Sequence, residues 1–400
     1  MEKQDRILIV DALRGFALLG IILIHFVEHF ELFKETEVNY FFSLETDQWV
    51  METIMYLISG KAYSIFALMF GFSLFIQIDR KEKQGIDFRA QFAWRLVLLL
   101  MIGFIHSLVY RGDILHIYAL LGLPLVFLYK ANSKVLLVLL LLLAIQIPIL
   151  YQLILSFLDP SYTYVQDWGG NTFSESNSIF ASGSFLDVVK INFWKGRYFV
   201  WAWTYYTGRS VQLVALFIIG LLLGRKGYFE NLALYKSQIK MLLTGSVFLI
   251  VVLHFISVGI AGSELTELQK ELASTLFTSY ANLAYTSTIV LLFILAYLTF
   301  HKLRVFGSFA IYGKMSLTNY VSQAIFGVIF FYGFGFGMYK YMGATWSLIC
   351  GILFFALQVV ISKVWIKKFH YGPLEWLWRA LTYMDFSIHF RKSEPQTQLS

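Results

Sequence analysis

Arg14 and His25 are ionisable side chains inside residues 7–30, a run that is otherwise mostly apolar. Charge in such a setting is costly and marks function by default. The eleven-residue spacing rotates a helix by about 1100° and raises it about 16 Å, so both side chains share one stripe, far apart along it. Asp11, three positions before Arg14, falls on the same face and can neutralise it; Glu28 and His29 continue the stripe beyond His25. A guanidinium that keeps its charge suits a phosphate or carbonyl, and an imidazole suits proton transfer. The plainer readings are a snorkelling arginine with a local salt bridge and a hydrogen-bonded packing histidine.

A second constellation reads His106-Ser-Leu-Val-Tyr-Arg111-Gly-Asp113-Ile-Leu-His116. The short connection at Gly112 brings His106 and Asp113 together. A carboxylate beside an imidazole fixes its tautomer and stabilises the imidazolium, as a general base needs. The alternative is that Asp113 caps the following helix and His106 is interfacial. His254 has no acidic neighbour in sequence and reads as packing. The single cysteine, Cys350, excludes an intramolecular disulfide and a multi-cysteine metal site, and the sequence calls for no metal. No Walker loop, zinc motif or Gly-x-Ser-x-Gly elbow occurs.

The elements that must hold these residues follow from composition. The chain has 400 residues, 58% hydrophobic and 14% charged, whereas soluble domains average about 45–50% and about 25%. The reading is an all-α, polytopic integral membrane bundle of about ten transmembrane helices. The spanning segments are 7–30, 62–78, 92–110, 114–129, 135–157, 207–223, 241–261, 283–300, 316–332 and 344–366. Basic residues cluster in alternate connections (Arg80, Lys81 and Lys83; Lys130 and Lys134; Arg225 and Lys226; Lys302 and Arg304; Lys367 and Lys368). The other connections are acidic, as with Glu31, Glu35, Glu37 and Asp47. The positive-inside rule then puts the N-terminus and C-terminus in the cytoplasm, with Gly85 and Gly372 inside and Glu37 and Ser176 outside. Lys and Arg form no single patch, so nucleic acid is not a partner.

Two stretches fall outside the spans. Thr46–Ser59 is amphipathic and suits the outer face. Residues 156–206 are aromatic-rich, with Trp194, Arg197, Trp201 and Trp203, and suit an outer belt or a lid over an acceptor. Residues 372–390 suit a cytoplasmic interfacial helix. Gly220 with Gly224, and Gly307 with Gly313, are small residues that allow close helix contact. No internal repeat is visible.

Asp11-Ala-Leu-Arg-Gly-Phe-Ala-Leu-Leu-Gly20, Gly112-Asp-Ile-Leu115, Gly313-Lys-Met-Ser-Leu-Thr-Asn-Tyr320 and Gly372-Pro-Leu-Glu-Trp-Leu-Trp-Arg379 resemble the YeiB-like family of bacterial inner-membrane proteins, domain of unknown function family 418. The resemblance covers almost the whole chain. That family looks related to a wider transmembrane acyltransferase superfamily, whose acyltransferase-3 members carry an Arg, ten residues, then a His in the first helix. Arg14 and His25 fit that spacing, although the chain lacks an Arg-x-Arg motif. The resemblance implies acyl-CoA as a cytoplasmic donor and an acceptor on the far side.

The expectation is an integral membrane acyltransferase of the bacterial inner membrane, moving a small acyl group to an extracytoplasmic hydroxyl or amine. Its partners are membrane lipids and a small-molecule, glycan or lipid acceptor, and the sequence leaves room for a homo-oligomer. Asp11 and Arg14 bind the donor; His25, His106 and Asp113 are the catalytic candidates; Trp194, Arg197, Trp201 and Trp203 cover the acceptor. The alternative is a transporter or exporter of a small amphiphile using the same charges as a relay. A structural or lipid-organising role is the remaining class.

Overall fold

The computed structural model describes residues 7–34, 42–159 and 161–392; Glu35 and Glu37 lie outside them. Helix makes up 78% of the described residues, with no strands among them. The helices are α1 (Leu8–Val27), α2 (Leu44–Ile58), α3 (Ala62–Glu82), α4 (Arg89–Val109), α5 (Leu115–Leu128), α6 (Ser133–Ala144), α7 (Ile147–Leu158), α8 (Thr172–Ser182) and α9 (Phe185–Ile191). After a π-helical turn (Asn192–Gly196) come α10 (Arg197–Tyr206), α11 (Arg209–Arg225), α12 (Lys236–Ala261), α13 (Glu267–Phe300), α14 (Arg304–Lys314), α15 (Ser316–Phe331), α16 (Ala344–Lys368) and α17 (Pro373–Tyr383).

Local chemistry sets several boundaries. Ser43 accepts from the Thr46 N–H to start α2, and Asn132 accepts from Val135 to start α6. Thr266 and Gln269 form a capping box at α13. Pro373 opens α17, where its missing N–H costs nothing.

Seven helical stretches are long and apolar enough to cross a membrane, and an eighth is a pair, Phe185–Tyr206 with Arg209–Arg225, bent by 71°. Leu115–Leu128 and Ser316–Phe331 are apolar but shorter. Every expected span is therefore helical, but the lengths differ. The 283–300 segment is the second half of a 34-residue helix, about 51 Å long and well beyond a hydrocarbon core of about 30 Å. The 135–157 span breaks at Gln146, whose φ of 55° is left-handed. The 207–223 span joins the aromatic segment through the bend at Gly208. Thr46–Ser59 runs as α2 almost directly into α3. α14 was not anticipated, because its eleven residues mix Arg, Gly, Ser and Lys with apolar ones.

α1 is the central rod, with 61% of its most apolar stretch buried, whereas those of the α6–α7 and α12 spans are only 11% buried and form an open apolar flank suited to lipid. Small residues bring its neighbours close. A Cβ on Gly15 would run into the Phe309 carbonyl of α14, and one on Gly313 into the Asp11 carbonyl of α1. α3 and α11 meet in the same way through Gly71 and Gly220. With little hydrophobic drive between helices in lipid, such backbone contact is how they associate. His254, read as packing, is exposed on α12. Ser176 and Gly372, expected to be accessible loop positions, are both buried.

Gly103 decides how α4 meets α5: a Cβ there would collide with the His116 N–H and lie 2.9 Å from Leu115 Cβ. Gly103→Val is expected to destabilise the protein by about 1–3 kcal/mol, typical of overpacking. Thermal unfolding of the detergent-purified variant checks this, and an unchanged midpoint would refute the tight contact.

Candidate functional site

α4 ends at Val109, the chain turns through Tyr110–Ile114, and α5 begins at Leu115, so three polar side chains meet at the turn. His106 Nδ1 lies 2.7 Å from Asp113 Oδ1, and His116 Nδ1 lies 2.7 Å from Asp113 Oδ2. The His116 backbone N–H also donates to Oδ2 at 3.1 Å. Asp113 therefore orients two imidazoles and accepts the N–H of the first turn of α5 at once. All three side chains are buried. The Nε2 atoms of both histidines are buried without a hydrogen-bond partner. With a carboxylate on each Nδ1, the neutral rings carry hydrogen there and present a bare, basic Nε2.

Tyr320 of α15 supports the turn, its hydroxyl accepting from the Ile114 N–H at 3.2 Å and its ring centroid 5.3 Å from that of His106. One helical turn further on the same face, Gln323 is fully buried with both amide atoms unpaired. His25 faces this centre from α1, its ring 5.1 Å from Tyr110, with Nδ1 buried and unpaired.

A second charged pair braces the turn. Arg111, 2% exposed, donates from Nε to Glu31 Oε2 at 2.8 Å and from Nη2 to the Glu31 carbonyl at 3.3 Å. Glu31 reaches it because His29, Phe30 and Glu31 all take left-handed φ values of 49°, 57° and 65°. Such backbone costs roughly 1–3 kcal/mol per residue and persists only where the surroundings over-determine it. Here the Tyr332 hydroxyl donates to the Phe30 carbonyl at 2.8 Å, and His29 Nε2 lies 3.0 Å from Ser347 Oγ.

The aromatic segment divides. The π-helical turn aims Asn192 Nδ2 at the Leu108 carbonyl, 3.2 Å away, and Arg197 Nη2 at Ser107 Oγ, 3.1 Å away. Trp201 packs 5.8 Å from the His116 ring, and Trp203 stacks on Arg209. Trp194, grouped with them by sequence, lies in the π-helical turn and is 74% exposed. Outside the spans, Asp167 accepts from the Tyr198 hydroxyl and the Gly169 N–H, which hold its carboxyl below the usual carboxylate range.

At the other end of α1, Arg14 binds Asp11 at 2.9 Å and the Ser73 hydroxyl of α3. Arg95 of α4 lies within electrostatic reach of Arg14 and of Arg379 on α17. Arg95 stacks 3.7 Å from the Trp378 ring, whose N–H donates to the Arg95 carbonyl at 2.9 Å. The Nε atoms of Arg95 and Arg379 are buried and unpaired. α17 is anchored there by Glu375, which accepts the Leu317 and Thr318 N–H groups at the start of α15. It is thus fastened to the first turn of α15.

Sequence reasoning gave no role to His116, Gln323, Arg95 or Arg209. His116 stood three positions after Asp113, a helical neighbour, and Gln323 was a polar residue in an apolar run. Among the described residues no group of three or more His, Cys, Asp and Glu could hold a metal ion.

Apolar spans around buried His–Asp and Arg clusters define a helical membrane protein. Residues 223–385 match the family described as "Protein of unknown function (DUF418)". The chain is 27% identical over 414 residues to "Uncharacterized protein YxaH" of Bacillus subtilis (strain 168), covering 98% of each. It is 25% identical over 405 residues to "Uncharacterized 39.9 kDa protein in amylase 3'region" of Bacillus acidopullulyticus, covering 97% of each. With "Uncharacterized protein YeiB" of Escherichia coli (strain K12) it shares 26% over 417 residues, covering 95% of this chain and 97% of that one. The chain is thus similar over almost its whole length to these three bacterial proteins, and its C-terminal part matches the DUF418 family.

Glu31→Gln should strand the buried Arg111 cation and cost about 3–5 kcal/mol, the range for breaking a buried pair. Glu31→Gln combined with Arg111→Met should recover most of that loss. Melting curves of the single and double variants test this; additive losses would show that the pair is not coupled.

Proposed function

We propose that the protein is a ten-span acyltransferase of the bacterial inner membrane with both termini cytoplasmic. It passes a small acyl group from an acyl-CoA-type donor to an extracytoplasmic hydroxyl or amine. The observation that carries this reading is Asp113 orienting two imidazoles whose Nε2 atoms are buried and unpaired.

In this reading the acceptor O–H or N–H gives its proton to Nε2 of His106 or His116, while Asp113 stabilises the imidazolium. The acceptor atom attacks the thioester carbonyl, a C–O or C–N bond forms, the C–S bond breaks, and the thiolate takes the proton from the imidazolium. The unpaired Gln323 amide supplies an N–H donor for the oxyanion. Arg14, Arg95 and Arg379 fit the phosphates of the donor, since two of them keep buried, unpaired Nε donors. The about 16 Å between Arg14 and His25 suits a donor with a long flexible arm.

The bend of 71° between Phe185–Tyr206 and Arg209–Arg225 is the observation that favours the second reading, a transporter, because broken helices commonly line transport sites. Chemical change in the acceptor distinguishes the two.

Asp113→Asn keeps a side-chain oxygen to accept the His116 N–H in the first turn of α5. It should leave the melting temperature near wild type while lowering acyl transfer about 100-fold or more, the usual range for losing assisted proton transfer. A fully active Asp113→Asn protein removes the pair from the mechanism. His106→Ala and His116→Ala, assayed side by side, identify the base as the more damaging loss.

The topology is tested by single cysteines in a Cys350→Ser background. Exposed Gly85 and Ser387 should label from the cytoplasmic side, and exposed Ser178 from outside. External labelling at position 85 would overturn the orientation.

A further inference from the structure

Arg209 opens α11 just past the left-handed Gly208. Its guanidinium carbon sits 3.5 Å from the Trp203 ring centroid and 4.7 Å from that of Tyr63. A guanidinium carries five N–H donors, yet among the described residues those of Arg209 meet no hydrogen-bond acceptor. Lys61, in the turn between α2 and α3, is 7% exposed and spends one donor on the Tyr56 carbonyl at 2.7 Å. The two cations lie within electrostatic reach of each other. Like charges deep in a bundle are costly unless an anion neutralises them. Glu28 lies within electrostatic reach of Arg209 but forms no ion pair with it among the described residues.

We propose that Arg209 and Lys61, backed by the Trp203 ring, bind an oxyanion of the phosphate-ester kind, and that this anion belongs to the acyl acceptor. Stacking fixes the guanidinium plane, so its fork is already oriented for two phosphate oxygens. Lys61 adds a point charge. The placement matches the centre described above. Glu28 follows His25 on the same face of α1, about 4.5 Å further along the axis. A phosphate held at Arg209 therefore leaves a hydroxyl or amine a few bonds away beside the imidazoles. The assignment to an acceptor rests on the acyl-transfer reading, whereas the anion site does not.

The phosphate could come from a lipid headgroup or from a soluble ester, and two arms separate these. Protein in phosphatidylcholine nanodiscs is titrated calorimetrically with glycerol 1-phosphate. In parallel, detergent-purified protein is exposed to mixed phosphatidylglycerol and phosphatidylcholine micelles, and retained phosphatidylglycerol is counted by native mass spectrometry. Binding in one arm is expected, weakened at least tenfold by Arg209→Gln and by Lys61→Gln, less by Arg209→Lys, and weakened by added salt. Should Arg209→Gln fail to fold, Lys61→Gln and the salt dependence carry the test. The proposal is overturned if neither probe binds the wild type, or if folded glutamine variants bind as well as it does. Because the assay reads no turnover, absent acyl transfer with binding intact removes the acyltransferase reading and keeps the anion site.

Discussion

The carboxylate of Asp113 is wholly buried, and much of this end of the bundle follows from the need to stabilise it. A carboxylate taken from water into a protein interior loses several kcal/mol of solvation. Two imidazoles and a backbone N–H replace that water. For both rings to reach it, α4 and α5 must meet closely, which the bare Cα of Gly103 allows, and the turn must be held, which Tyr320 does. Committing both Nδ1 atoms to one carboxylate leaves both Nε2 atoms projecting. The cost of burying the carboxylate and the unpaired, buried Nε2 atoms are two sides of one arrangement.

The Arg111–Glu31 pair lies at the same turn and explains the distorted end of α1. Three consecutive left-handed residues would relax in isolation. They are fixed by the Tyr332 hydroxyl just past α15, a serine on α16 and the ion pair itself. At its other end α1 is held by Asp11, Arg14 and Ser73, and along its side by the α14 backbone. A rod fixed at both ends keeps the separation between its polar clusters constant, so Arg14 and His25 act as rigid reference points.

Hydropathy revealed the spans, because long apolar runs can satisfy their backbone in lipid only as helices. It did not reveal where helices bend or end. The bend at Gly208 depends on one left-handed residue, and the length of α13 on a polar first half packed against protein. The His106–Asp113 contact was legible since a seven-residue separation across a tight turn leaves few alternatives. His116 lay within the same motif but a single carboxylate suggested a single partner. Arg95, Arg209 and Arg379 were hidden for another reason: a basic residue at a helix end reads as a topology signal, and its partners come from distant helices. Aromatic count marked the segment carrying Trp194 and Trp203, but only the fold tells which meets Arg209 and which is exposed.

Between the polar ends of α1 runs an apolar belt. Ala17, Leu18, Ile21 and Ile22 are each at most 4% exposed and pack into clusters with Leu68, Tyr312 and Phe331 on three other helices or their ends. An ion-coupled carrier must move its charged or hydrated cargo through such a belt, so it needs polar groups along the way or a large rearrangement of packed side chains. A group transferase needs less: its charged donor head stays at one end, its acceptor at the other, and only an uncharged arm crosses. Packed apolar walls suit that arm, for they exclude the water that would otherwise hydrolyse a thioester. The belt, together with charge confined to the two ends, weighs toward group transfer over carriage of a charged substrate.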